Sequence, residues 1–77
     1  MMTANEIHDL VLHALPGADI EVIDTVGDQN HWRVVVVSDR FAGLSLIEQH
    51  KLVMQSLAGV LGGRMHAIEI KTKLPTA

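Results

Sequence analysis

The stretch HWRVVVVS, residues 31–38, contains an unbroken run of four valines. Branching at Cβ restricts χ1 and suits a pleated surface, so the run favours extended backbone. An exposed edge strand would alternate apolar and polar residues. This run is too continuous for that, and it predicts a central strand covered on at least one face. Upstream, ADIEVIDTV alternates Ile20 and Val22 against Glu21, with Ile23 departing from the pattern. It reads as a half-buried strand. The turn cluster Gly27–Asn30 lies between the two, so they form an antiparallel hairpin with a short loop.

Helices flank the hairpin. In TANEIHDLVLHALPG, Thr3 and Glu6 have capping-box spacing, and Pro16–Gly17 is a stop. Ile7, Leu10, Val11, Ala14 and Leu15 form its apolar stripe, which leaves His8 and His13 toward solvent. After the loop DRFAGLS, Ser45 and Glu48 repeat the capping spacing. Leu46, Val53, Leu57 and Leu61, broadened by Ile47 and Met54, then predict one long amphipathic helix. Gly62 and Gly63 end it. In RMHAIEIKTK, His66, Ile68, Ile70 and Thr72 alternate with Met65, Ala67, Glu69 and Lys71, which predicts a strand.

The order is helix, strand, strand, helix, strand. A helix between strands two and three is an ordinary crossover, so those strands are expected to run parallel. The expected fold is α+β: one domain over residues 1–77, with a three-stranded mixed sheet and both helices on one face. A chain this short buries only about 60% of the surface its unfolded form exposes. With Trp32 and Phe41 as its only aromatics, the core must be built from aliphatic residues.

Composition excludes several classes of function. A net charge of −3 argues against a dedicated nucleic-acid binder, although Arg64, Lys71 and Lys73 gather near the C-terminus. The plain reading of that cluster is a solvated strand face. The chain has no cysteine, which removes disulfides, thiol catalysis and thiolate ligation by this chain alone. No run approaches the roughly 20 apolar residues of a membrane span, and the N-terminus does not read as a secretory signal. A soluble cytoplasmic protein is expected. Phosphate-binding glycine motifs, a Gly-x-Ser-x-Gly elbow and an HExxH pair are all missing from the sequence, so no enzyme is expected.

What remains is histidine chemistry, with five imidazoles in 77 residues. His31 begins the second strand and His66 the third. If those strands are parallel neighbours, both histidines emerge at one edge of the sheet. Two imidazoles do not complete a four-ligand site, but they can supply half of one, as in iron–sulfur centres where imidazoles replace two thiolates. The competing reading makes His66 a packed core side chain, His31 a plain exposed residue and His50 a core-edge residue bonded to a nearby loop. On spacing alone the competing reading is the commoner one.

The ordered set of motifs adds a resemblance. His31 is followed by an aromatic residue, and the valine strand ends in Ser38. The F-x-G-L-S loop falls at Phe41, Gly43, Leu44 and Ser45, followed by QHKLV in the helix and HA-x-x-I-K-T from His66 to Thr72. From about Ile20 to Pro75 this pattern resembles the BolA family. The resemblance implies an αββαβ arrangement similar to the class II KH fold. It also implies partnership with a monothiol glutaredoxin, the pair sharing a glutathione-ligated two-iron two-sulfur cluster for iron–sulfur trafficking or iron sensing. His66 takes the place of the family's histidine ligand. A second ligand belongs to the loop between the first two strands, where His31, or the weaker oxygen donor Asp28, is what this chain offers. Docking is expected through residues 62–73, including Gly63, Arg64, Met65, Ala67 and Lys71. A homodimer of the metal-free chain is an open alternative. So is a KH-like DNA-binding regulator of stress response and cell morphology that uses Arg64, Lys71 and Lys73. Gly59 and Gly62 have the GxxG spacing of an RNA-clamping loop, but they sit at a predicted helix end without basic residues between them.

Overall fold

A computed structural model describes residues 3–27, 31–61 and 67–75. The elements are α1 (Ala4–Ala14), β1 (Asp19–Asp24), β2 (His31–Val37), a 3₁₀ turn (Asp39–Phe41), α2 (Leu46–Ser56), α3 (Ala58–Leu61) and β3 (Ala67–Lys73). The sheet order is β1-β2-β3, so the valine-rich strand is central. β1 pairs with β2 antiparallel, with Ile20 opposite Val36 and Val22 opposite Val34. β3 pairs with β2 parallel, with Ile68 opposite Trp32 and Ile70 opposite Val34. This is the α+β mixed sheet that the order of elements predicts.

Alternation along β2 separates two faces. Trp32, Val34 and Val36 are buried, whereas His31 is exposed and Arg33, Val35 and Val37 are half-buried. The buried set forms one core with Ile7, Val11 and Leu15 of the α1 segment, with Phe41, and with Val53 and Leu57 of the α2 segment. Both long helices therefore cover the same side of the sheet. Both predicted capping boxes form, each with reciprocal bonds between the cap and its glutamate: Thr3 with Glu6, and Ser45 with Glu48. Between the 3₁₀ turn and Ser45 the chain reverses through Gly43 at φ +79°, a conformation that favours glycine.

The apolar stripes are narrower than the sequence suggests. In α1, Leu10 and Ala14 face solvent while Ile7, Val11 and Leu15 carry the packing. The expected long helix is two helices, broken at Leu57, whose N–H bonds to the Met54 carbonyl three residues back at 3.1 Å. That tighter bond interrupts the four-residue ladder. Val53 and Leu57 are buried, but Leu46 and Ile47 are 61% and 69% exposed, and Met54 is also exposed. Phe41 and Leu44, from the preceding loop, pack with the core in place of Leu46 and Ile47. Replacing buried Phe41 by Ala should therefore cost about 3–5 kcal/mol in a urea unfolding titration. Ile47→Ala should stay within about 0.5 kcal/mol of wild type, because no core contact is lost.

Candidate functional site

The β2–β3 register places the candidate ligand positions. His31 opens β2 and its register partner on β3 is Ala67, the residue that follows His66 in the chain. The His31 carbonyl accepts two hydrogen bonds from Thr25, from its N–H at 2.9 Å and from its hydroxyl at 3.2 Å. These close the hairpin ladder and fix the backbone beneath an exposed imidazole. Asp24 shapes the start of the loop, its carboxylate accepting the Gly27 N–H at 2.9 Å. His66 and Asp28 lie outside the described residues, as do Gly62, Gly63, Arg64 and Met65. Lys71 and Lys73 are exposed on β3. His8 and His13 belong to α1 and His50 to α2, where His50 is half-buried.

Next to His31 along the chain is Trp32, only 3% exposed. Its indole N–H is buried and has no hydrogen-bond partner among the described residues. An unsatisfied buried donor costs on the order of 1–3 kcal/mol, which the apolar bulk of the ring offsets. Among the described residues, no group of three or more His, Asp or Glu is placed to hold a metal ion. Among the described residues, this end of the sheet offers the His31 imidazole and the Asp24 carboxylate as donors.

Two polar links that hold β3 are not apparent from motif spacing. Arg33 donates from Nε to Glu69 Oε1 at 2.8 Å, across adjacent strands on the face away from the helices. Gln49 of α2 donates to the Leu44 carbonyl at 3.0 Å and accepts from the Thr72 hydroxyl, tying the helix and its leading loop to β3. The first link follows from alternation once the parallel register is known. The second depends on how the helix sits on the sheet, which no local pattern encodes.

Comparison with known proteins places the fold. The profile described as BolA-like protein matches residues 7–77. This chain belongs to the BolA-like family. It is 39% identical over 71 residues to protein RP812 of Rickettsia prowazekii, covering 92% of each chain. It is 30% identical over 79 residues to the Escherichia coli protein named DNA-binding transcriptional regulator BolA, covering 94% of this chain and 75% of that one. The structure of BolA1 from Arabidopsis thaliana superposes with a TM-score of 0.84 at 26% identity, covering 97% and 95% of the two chains.

Glu69 allows a test of the link to β3. The Arg33 hydrogen bond holds its carboxyl below the usual carboxylate range, desolvation opposes this in part, and the charges of Arg33 and Lys71 add to the lowering. A carboxyl depressed in the folded state contributes stability above its unfolded pKa and loses it as pH falls through its folded value. Glu69→Gln should therefore shrink the stability lost on acidification below about pH 4.5, with little change in slope near neutrality. Urea midpoints measured across that range check this. An unchanged acid limb would mean that the pair is too well solvated to matter.

Proposed function

We propose that this BolA-like chain is a non-enzymatic iron–sulfur module. It docks a monothiol glutaredoxin and shares with it, and with glutathione, a two-iron two-sulfur cluster. The supporting observation is the parallel β2–β3 register, which sets His31 beside Ala67, the chain neighbour of His66. A chain without thiols brings only nitrogen and oxygen donors to iron, so the thiolates must come from the partner and from glutathione. The cluster, when bound, supplies exchangeable iron and one-electron redox chemistry.

The residues of this chain have narrower tasks. His66 presents a neutral imidazole nitrogen, and His31 is the candidate for the second position on a backbone fixed by Thr25. The segment 62–73 provides the docking surface, with Gly63, Arg64, Met65, Ala67 and Lys71 among its contacts. Protonation of an imidazole removes the donor lone pair, so assembly should weaken in mild acid. The proposed setting is the cytoplasm, where glutathione is abundant and thiols stay reduced.

The name of the Escherichia coli relative favours a second reading, binding to DNA through Arg64, Lys71 and Lys73. Duplex binding relies on phosphate neutralisation and is strongly salt-dependent. Here the net charge is −3. Sub-micromolar, sequence-selective gel shifts at physiological salt would carry this second reading.

The test of the first reading is reconstitution with a monothiol glutaredoxin, iron, sulfide and glutathione, followed by visible absorption and circular dichroism. A mixed-complex spectrum distinct from that of glutaredoxin alone is expected, and His66→Ala should abolish it. His31→Ala should alter the spectrum or speed cluster loss if His31 is the second donor. A spectrum unaffected by His66→Ala would remove that residue from the ligand set.

A further inference from the structure

The face of the sheet away from the helices carries an ordered pattern of charge. Asp19, Val37 and Lys73 form one row across the three strands, and Glu21, Val35 and Lys71 form the next. Over these two rows, β1 presents acidic residues, β2 apolar ones and β3 basic ones. The four charged residues are exposed and the two valines half-buried. A groove of about 450 Å³ runs over this end of the face, lined by Asp19, Ile20, Glu21, Val35, Val37 and Lys73.

Acid and base within a row are two strand spacings apart, about 9.6 Å between backbones, with a valine between them. Among the described residues the ion pairs are His8–Asp9 and Arg33–Glu69, and neither includes Asp19, Glu21, Lys71 or Lys73. The third row carries Ile23 beside the Arg33–Glu69 pair, which cancels its own charge.

We propose that this face joins two copies of the chain about a two-fold axis running along β2. Rotation about that axis lays the β1 of one copy over the β3 of the other and preserves position along the strands. Asp19 then meets Lys73 of the second copy and Glu21 meets its Lys71, each pairing occurring twice, while the valines of the two copies meet at the centre. The alternative in-plane axis, perpendicular to the strands, would stack acid on acid and base on base. Closed two-fold pairing needs a self-complementary surface, and this layout is self-complementary in one orientation only. A partner of a single charge sign, such as a nucleic acid, would be repelled by one column whichever it approached.

The contact is small. Seven residues along and three strands across give a flat footprint of about 300 Å² per copy, against about 800 Å² for a standard interface. The dimer should therefore be weak and sensitive to salt. Its axis leaves both His31 ends on the same side, and the proposal does not depend on iron or on a glutaredoxin.

Sedimentation equilibrium of the metal-free chain at about 1 mM provides the test, at about 0.01 M and about 1 M salt, where screening lengths are about 30 Å and 3 Å. A monomer–dimer equilibrium at low salt, at least tenfold weaker at high salt, is expected. Asp19→Lys with Glu21→Lys makes both columns positive, and Lys71→Glu with Lys73→Glu makes both negative. Each double variant alone should lose dimerisation at least tenfold, and an equimolar mixture of the two should recover a heterodimer. Circular dichroism confirms folding, and the wild-type salt dependence stands on its own if a variant does not fold. Absence of self-association at low salt, growth beyond dimers, or a mixture that stays monomeric would each overturn the proposal.

Discussion

The fold depends on one strand meeting two kinds of neighbour. β2 pairs antiparallel with β1 through a short hairpin and parallel with β3 after a helical crossover. It donates Trp32, Val34 and Val36 to a core that every other long element touches. A strand in this position needs apolar or β-branched side chains on its covered face and must satisfy ladders on both edges. The four valines meet the first demand on one side and leave Val35 and Val37 on the other. Without β2 in the middle, α1 and α2 would have no common surface to bury.

That central position also determines where chemistry can occur. Parallel pairing brings the starts of β2 and β3 to the same end of the sheet, so His31 lies opposite Ala67, the residue that follows His66 in the sequence. At the far end, Ser38 continues the order by donating its N–H to the Lys73 carbonyl at 3.0 Å and capping the 3₁₀ turn with its hydroxyl. Local hydrogen bonds close both ends, and the end closed by Thr25 carries the His31 imidazole.

Much of the architecture is legible in local pattern. Capping pairs three residues apart, alternation in β1 and β3 and the unbroken valines of β2 are signals a short window contains, and each leads to the element observed. The parallel partner of β2 follows from the length of the crossover. The errors share a cause. Leu10, Leu46, Ile47 and Met54 satisfy helical spacing yet remain exposed, because a core this small is filled by Phe41, Val53 and Leu57 before they reach it. Periodicity records what a helix could bury and carries no information about how much partner surface exists. The break at Leu57 is equally invisible, since the helix changes there without glycine or proline.

The candidate site was legible to a different depth. His31 and His66 stand out by residue type, and the register explains why His31 and the start of β3 share one end of the sheet. The Arg33–Glu69 pair and the columns beside it needed the register first, because residues 36 positions apart carry no common local signal. Both faces of the sheet follow one rule. Alternation sends Trp32, Val34 and Val36 toward the helices, and the same alternation must send Arg33, Val35 and Val37 away from them. Among the described residues both long helices cover one side of the sheet, and the charges on the other side must be solvated, paired internally or paired with another surface. Arg33 and Glu69 take the second course at 2.8 Å. Asp19, Glu21, Lys71 and Lys73 lie in separate columns and take no part in the ion pairs of the described residues. An interior arrangement that satisfies β2 thus generates a dipolar exterior, and a surface of that kind discriminates among partners by orientation as much as by charge.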